Sequence, residues 1–159
     1  MDGPAPVTRF RDATTRFYEY ELTAEGIDVV CPRCSGHAAV IAQRVEGQPA
    51  MFWSRRFSCT GCGHSARWPA EGRTSCWGAA VDPFFRLPLW LAAPCCGGHT
   101  LWAFNRTHLD LLDAFITARL RERNPGAYGQ TLVERLPAWI KAAKNRDELR
   151  TVLARLRDR

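Results

Sequence analysis

The chain has 159 residues and a mass of 17.9 kDa, with 46% hydrophobic and 24% charged residues. These values are typical of one folded globular domain and exclude a disordered or collagen-like chain. No apolar run approaches the roughly 20 residues of a membrane-spanning helix, and the sequence begins without an apolar export signal, so we expect a cytoplasmic protein with no membrane segment. The seven cysteines, an odd number, predict thiol or metal chemistry in a reducing compartment.

The positive charge is concentrated near the C-terminal end of the sequence. Lysine and arginine number 22 against 16 aspartates and glutamates, which gives a net charge of +6. Residues 119–159 hold 11 basic and 5 acidic side chains, whereas residues 1–118 hold 11 of each. The whole net charge therefore comes from residues 119–159. A local excess of this kind favours an anionic partner, with nucleic acid ahead of a membrane surface. The alternative is a solvated, arginine-rich helical face.

Four segments follow one another along the chain. Residues 1–26 are polar with one strand-like stretch at 17–22, and residues 27–70 place strand-like stretches beside two cysteine pairs. Residues 71–105 are rich in aromatics, and they predict a second hairpin formed by residues 87–92 and 100–104. Residues 106–159 have helical patterning. We therefore expect an α+β fold: a zinc-ribbon hairpin module, an aromatic hairpin packed on it, and a C-terminal segment of about three helices.

The helical segment contains recognisable start and stop signals. Thr107 and Asp110 have the spacing of a capping box, and the apolar stripe behind them, which reaches Leu120, ends before the Asn-Pro-Gly at residues 124–126. Within the next helical stretch, residues 132–144, Pro137 is expected to begin a new segment. Asn145 with Glu148 is expected to cap the last helix, whose apolar face consists of Leu149, Val152, Leu153 and Leu156.

The strongest chemical signal comes from two cysteine pairs with the same spacing, Cys31 with Cys34 and Cys59 with Cys62. Each pair places two thiolates on one tight turn, and two such turns complete a tetrahedral site with metal–sulfur distances of about 2.3 Å. Coordination by four sulfurs favours zinc, with iron as the alternative. Four thiolates leave no open position for water. We therefore expect one structural zinc ion that stabilises the fold and performs no Lewis-acid chemistry.

The other thiols and imidazoles give weaker signals. Two histidines beside the cysteine pairs, His37 and His64, are expected outside the coordination sphere. The adjacent cysteines after Pro94 predict a turn with buried or reactive thiols, with a second metal site as the alternative. The candidate residues for the reactive thiols or for the second metal site are Cys76, Cys95, Cys96 and His99. The sequence contains no motif of the common enzyme classes, so we expect no catalysis and see no evident small-molecule substrate.

Several further stretches carry a resemblance to known proteins, namely residues 82–85, 87–91, 94–97, 100–105, 135–139 and 144–146. Together with the cysteine pairs they are similar to a group of small bacterial zinc-ribbon proteins, over most of residues 27–150. The cysteine pairs alone resemble the zinc ribbons of transcription factors and RNA-polymerase subunits. The resemblance implies a ribbon, a hairpin and a helical tail, with a role related to transcription, and it implies no activity.

Basic and aromatic residues alternate between the two cysteine pairs. Arginines can hold phosphates while aromatic rings stack on unpaired bases, so this pattern predicts a face that binds DNA or RNA. The candidate residues are Arg44, Trp53, Arg55 and Arg56 in the ribbon, and Arg135, Lys141, Lys144 and Arg146 in the tail. The alternative is an adaptor that docks onto a larger protein complex through an amphipathic helical face or exposed tryptophans.

Overall fold

The computed structural model describes residues 9–11, 18–71, 74–118, 120–122 and 133–159. Within these ranges the α-helices are Tyr18–Leu22 (α1), Arg106–Thr117 (α2), Ala138–Lys141 (α3) and Arg146–Arg157 (α4). The strands are Arg9–Arg11 (β1), Ile27–Val30 (β2), His37–Ala42 (β3), Arg55–Ser58 (β4), Ser65–Trp68 (β5), Leu91–Cys95 (β6), His99–Ala103 (β7) and Leu120–Glu122 (β8). The predicted α+β class is confirmed.

Strands β2 to β5 form one antiparallel sheet in sequence order, and we call this sheet the ribbon. The strands before and after the first cysteine pair were predicted, whereas β5, which follows the second pair, was not. A 3₁₀ turn, Ala50–Phe52, precedes β4. Because side chains alternate across a sheet, each strand of the ribbon presents one face to the core and the other outward.

The free edge of β2 is covered by residues that flank the second hairpin on both sides. The Asp28 N–H donates to the carbonyl of Phe104 at 2.7 Å, and the Val30 N–H donates to the carbonyl of Pro88 at 2.8 Å. Strands β6 and β7 form the hairpin itself: β7 lies within one residue of its predicted arm, whereas β6 begins at residue 91 rather than at the predicted 87. Backbone hydrogen bonds therefore attach the second hairpin to the ribbon, and they satisfy an edge that would otherwise be open.

Two groups of buried side chains form the interior. The ribbon core lies between the ribbon and residues 84–104, and its members include Ile27, Val29, Val40, Phe57, Trp68, Phe84, Leu89 and Phe104. The helical core joins the second hairpin to α2 and α4, and its members include Leu91, Leu101, Leu109, Ile116, Leu149, Val152, Leu153 and Leu156. The predicted apolar face of the last helix is confirmed, since all four of its residues are buried.

The strand expected at residues 17–22 is wrong, because residues 18–22 form the helix α1. Leu22 and the adjacent Thr23 are only 3% and 0% exposed. The Thr23 hydroxyl also donates to the carbonyl of Glu19, four residues earlier, at 2.9 Å, which is a helical spacing. The alternation of aromatic and acidic residues in this short stretch fits both periods, so the pattern alone could not decide.

The helix predicted through residue 120 ends earlier, at Thr117. Residues 120–122 instead form β8, which pairs in parallel with β1 from the start of the chain. This pairing depends on a partner more than a hundred residues away in sequence. Local helical spacing cannot reveal such a partner. The predicted stop at residues 124–126 lies outside the described part of the chain.

The cap of α2 is Asn105 rather than Thr107. Its side-chain oxygen accepts the N–H of His108 at 2.9 Å, while its Nδ2 donates to the carbonyls of Leu22 and Gly26, both at 2.8 Å. Asn105 is 8% exposed, so its bonds are shielded from water. This single side chain therefore caps one helix and holds the end of the N-terminal segment beside it.

The start of the last helix was predicted correctly, but its capping contacts were not. Asn145 occupies the N-cap position without a side-chain capping bond, and its Nδ2 donates instead to the carbonyl of Trp139 at 2.8 Å. Glu148 accepts the backbone N–H of Cys96 in the second hairpin at 2.6 Å. Both polar side chains thus tie α4 to neighbouring elements. Pro137 precedes α3, as predicted.

Asn105→Asp keeps the capping oxygen of α2 but replaces the two N–H donors with an acceptor that faces two carbonyls. We expect the free energy of unfolding to fall by about 2–4 kcal/mol, because buried acceptors lose their donors. Thr107→Ala should cost less than about 1 kcal/mol, since the Thr107 hydroxyl bonds only the exposed Glu25 carboxylate. Urea titration of both variants measures the difference, and equal losses would contradict this assignment of the cap.

Candidate metal centre

The two cysteine turns have the same backbone geometry. In the first, the Cys31 N–H donates to the carbonyl of Gly36 at 2.8 Å, and the Ser35 N–H donates to the carbonyl of Cys31 at 2.9 Å. The same two bonds recur in the second turn, from Cys59 to His64 and from Gly63 to Cys59, both at 2.9 Å. Each turn therefore presents its cysteine pair in a similar way, although the residues between the cysteines differ.

Both turns need one residue in the left-handed region of backbone conformation. Ser35 has φ of 58° in the first turn, and Gly63 has φ of 73° at the matching position of the second. Glycine adopts this conformation without steric cost, which is the role of Gly63 in the second turn. Gly36 acts through its small size instead, because a Cβ atom there would lie 3.3 Å from the Cys34 sulfur.

The turns bring all four sulfur atoms within 4.8 Å of one another. Two distances pair a sulfur of one turn with a sulfur of the other: 3.7 Å between Cys31 and Cys62, and 3.6 Å between Cys34 and Cys59. A regular tetrahedron with metal–sulfur bonds of about 2.3 Å has sulfur–sulfur edges of about 3.8 Å. The spacing therefore fits a metal ion bound by four cysteines.

The protonation behaviour of these thiols also favours a cation. Burial raises the pKa of Cys31, but hydrogen bonds from the backbone N–H groups of Cys34 and Arg33, with smaller effects of the neighbouring thiols, outweigh it and lower the pKa to about 6. A backbone hydrogen bond from Gly36 lowers the pKa of Cys34, but the thiols of Cys59 and Cys31 outweigh it and raise the pKa to about 11. One cysteine thus ionises easily, and its negative charge opposes the ionisation of the next cysteine. A bound cation would offset that repulsion between thiolates.

The two histidines near the turns lie outside this cluster, as predicted. His37 is exposed and its Nε2 lies 2.7 Å from the Asp28 carboxylate. The His64 ring packs against Phe57, with ring centroids 5.3 Å apart. The cluster within 4.8 Å contains only sulfur ligands among the described residues.

The adjacent cysteines of the second hairpin form a separate cluster with a different third member. The sulfurs of Cys95 and Cys96 lie 2.7 Å apart, and Glu148 of α4 completes the group. Cys95 is buried, and burial raises its pKa to about 12. The predicted buried thiol is therefore present. Cys76 and His99 are not members, so the structure does not bring together the four residues of the alternative second metal site.

Two of the predicted nucleic-acid contacts in the ribbon are buried. Arg55 is 0% exposed, its Nη1 donates to the Trp53 carbonyl at 2.7 Å, and its guanidinium carbon lies 4.4 Å from the Phe84 ring centre. Burial lowers the pKa of Arg55 to about 10. Trp53 is also buried, with its ring nitrogen bonded to the Gln48 carbonyl. The prediction that Arg55 and Trp53 face a ligand is wrong, since Arg55 shares the inward face of β4 with Phe57.

The outward face of the ribbon carries a different set of side chains. Arg56 lies between Ile41 and Arg67 in the register of three neighbouring strands, and all three side chains are exposed. Arg44 is exposed too, with its guanidinium carbon 5.6 Å from the Trp53 ring centre. Arg67 was missed because β5 was missed. The alternation of polar and apolar residues at 65–68 was the signal that could have found it.

The basic candidates of the tail are partly engaged within the protein. Arg135 forms an ion pair with Glu19 at 2.7 Å, and the Lys141 ammonium donates to the Glu134 carbonyl at 2.7 Å. Lys144 is exposed, whereas Arg146 is half-buried and its Nε has no hydrogen-bond partner in the described part of the chain. No described contact brings these four side chains to the outward face of the ribbon.

The chain matches no protein-family model, no curated protein and no solved structure. None of the helices in the described ranges is long and apolar enough to cross a membrane. The chemistry of the chain therefore has to be argued from its own side chains.

Cys34→Ser should remove one ligand from the four-sulfur cluster and weaken Co²⁺ binding at least about 100-fold. The binding free energy of such a site is about 10–16 kcal/mol, and the loss of one of four ligands removes part of it. Cys76→Ser is the matched control, because Cys76 is exposed and outside both sulfur clusters. Cobalt titration, followed by the absorption bands of tetrahedral thiolate coordination, measures both. Equal affinities of the two variants would contradict the assigned ligands.

Proposed function

We propose that the chain is a cytoplasmic, non-catalytic zinc-ribbon protein that binds nucleic acid through the outward face of the ribbon. The identity of the metal is supported by the ligand chemistry, since four cysteines at tetrahedral spacing are typical of structural zinc. The seven cysteines, all unpaired, support a reducing compartment. The resemblance to transcription-related zinc ribbons is in keeping with this function.

The observation that carries the proposal is a pair of arginines placed directly opposite each other. Arg56 of β4 and Arg67 of β5 are cross-strand partners on the open face, and within the described ranges neither has a carboxylate partner. Like charges in this position destabilise a sheet by roughly 0.2–1 kcal/mol. A phosphate group between them would turn this repulsion into two charge-assisted hydrogen bonds.

The surroundings of the pair are suited to a polyanion with unpaired bases. A shallow polar depression at the pair is lined by Gln43, Ser54 and Ser65 as well as both arginines. Phe52, in the turn before β4, is 59% exposed and offers an aromatic surface for stacking. Arg44 adds a further exposed guanidinium on the ribbon. The basic tail has a lesser role in this proposal, because Arg135 and Lys141 already contact other groups.

A protein partner is the second candidate, and exposed apolar side chains favour it. The large hydrophobic residues with the highest exposure in the described chain are Ile41 at 44%, Val45 at 43% and Phe52 at 59%. All three belong to β3 or to the connection between β3 and β4. Apolar side chains gathered in one region are typical of protein-binding surfaces. If the protein is an adaptor, these residues favour a docking surface on the ribbon rather than on the helices.

The test is fluorescence anisotropy of the zinc-loaded protein with single-stranded DNA, duplex DNA and RNA across a salt series. We expect the double variant Arg56→Glu with Arg67→Glu to weaken binding more than about tenfold and to reduce the salt slope by about two. The matched control is Arg150→Glu with Arg155→Glu, which makes the same charge change at two exposed positions of α4.

The control variant should bind within about twofold of the unchanged protein, because its substitutions are remote from the arginine pair in the fold. Equal losses in the two double variants would contradict a specific ribbon site. If the unchanged protein binds no nucleic acid at low salt, the proposal fails. Capture of a partner that is lost in Ile41→Ser with Phe52→Ser would then favour the adaptor.

A further inference from the structure

A cavity of about 360 Å³ lies where the ribbon core meets the helical core. Phe104 of the ribbon core lines one side, and Leu112 and Ile140 of the helical core line the other. The volume falls within the range of small-molecule sites, at its lower end, and such sites often form where two packed units meet. Neither the metal cluster nor the arginine pair of the ribbon contributes a side chain to this cavity.

One buried polar side chain in the cavity wall has an unused hydrogen-bond donor. His108 is 3% exposed, and its Nδ1 accepts the backbone N–H of Phe104 at 3.2 Å. An Nδ1 that accepts must be unprotonated, so the proton of the neutral ring is on Nε2. Burial lowers the pKa of His108 to about 4, which keeps the ring neutral near pH 7. Nε2 has no hydrogen-bond partner among the described residues, and it is not one of the fully buried polar atoms that lack a partner. Its N–H is therefore open to the cavity that His108 lines, where an acceptor on a guest can reach it.

The walls around His108 are aromatic and meet at steep angles. The Trp102 ring stands at 82° to the His108 ring with centroids 5.8 Å apart, and the Trp77 ring stands at 88° to the Phe104 ring at the same separation. Trp139 is held in place by stacking on His99, with centroids 4.6 Å apart and planes 2° from parallel. Rings in such a box present both faces and edges, which suits a flat aromatic guest.

The charges at the cavity argue against a cationic guest. Among the described residues Glu19 is the only carboxylate in the lining, and it is already paired with the Arg135 guanidinium at 2.7 Å. The His108 Nε2–H is a hydrogen-bond donor and would repel a cation, as would the Arg135 guanidinium. We propose that this cavity binds a small, neutral, planar aromatic molecule that accepts a hydrogen bond from His108 Nε2. The sequence has no motif for such a ligand, because its lining comes from four separate stretches of the chain.

Three molecules of nearly equal shape test the proposal on the full-length protein near neutral pH. Quinoline is neutral and has a ring nitrogen that accepts a hydrogen bond, naphthalene lacks that acceptor, and N-methylquinolinium replaces it with a permanent positive charge. Ligand-detected NMR titration gives the three dissociation constants. We expect quinoline to bind at least about fivefold to tenfold more tightly than either of the others, which is the ratio that one hydrogen bond supplies.

Two variants locate the binding. His108→Asn keeps an acceptor for the Phe104 N–H but has no atom in the place of Nε2, so quinoline should lose its advantage over naphthalene. Thr100→Trp introduces a large side chain from an exposed position in the cavity lining and should block both molecules, even if the histidine variant does not fold. Arg150→Gln, at an exposed position of α4 outside the cavity lining, is the control and should change none of the three constants.

Each contrary result has a definite meaning. Equal binding of quinoline and naphthalene would show that the donor of His108 is unused and would overturn the proposal. Tighter binding of N-methylquinolinium would make the cavity a cation cage. No binding of any probe at millimolar concentration would remove it as a ligand site. The nucleic-acid titration is a separate measurement on the ribbon variants, so failure of one proposal leaves the other intact.

Discussion

The convergence of four cysteine sulfurs is the constraint on which the other features of the ribbon depend. Two turns with matching backbone bonds bring the sulfurs to 3.6–3.7 Å, and β3 and β4 connect those turns. The turns fix the register of these strands, and a shift by one residue would move every side chain to the opposite face. The same register directs Arg55 into the core and Arg56 outward. The metal cluster thus determines which arginine a partner can meet.

The remainder of the fold is attached to the ribbon by the apolar ribbon core and by polar contacts at its margins. Backbone bonds from Asp28 and Val30 join the second hairpin to the edge of β2, and Asn105 joins α2 to the end of the N-terminal segment. These contacts leave two cores that meet without merging, and the cavity beside His108 lies at their junction. The proposed ligand site and the proposed nucleic-acid face therefore lie on different parts of one molecule.

Sequence patterns predicted the features that depend on local spacing. The cysteine pairs, the ribbon strands around them, the second hairpin and the buried face of the last helix all follow from periods or turn signals of a few residues. Features that depend on distant partners were missed: β8 needs β1, and Glu148 meets Cys96 only after α4 has packed on the hairpin. Arg55 was misassigned because charge suggested exposure, whereas carbonyl groups accept hydrogen bonds from its Nη1 and Nη2 and an aromatic ring packs on its guanidinium inside the core.

Hydrogen exchange of the zinc-loaded protein before and after removal of the metal by a chelator tests the central role of the cluster. The account predicts that residues 27–68 lose protection by several orders of magnitude while the centre of α4 loses much less, because the helical core has its own buried side chains. Unchanged protection in residues 27–68 after complete metal removal would contradict the claim that the four-sulfur site holds the ribbon together.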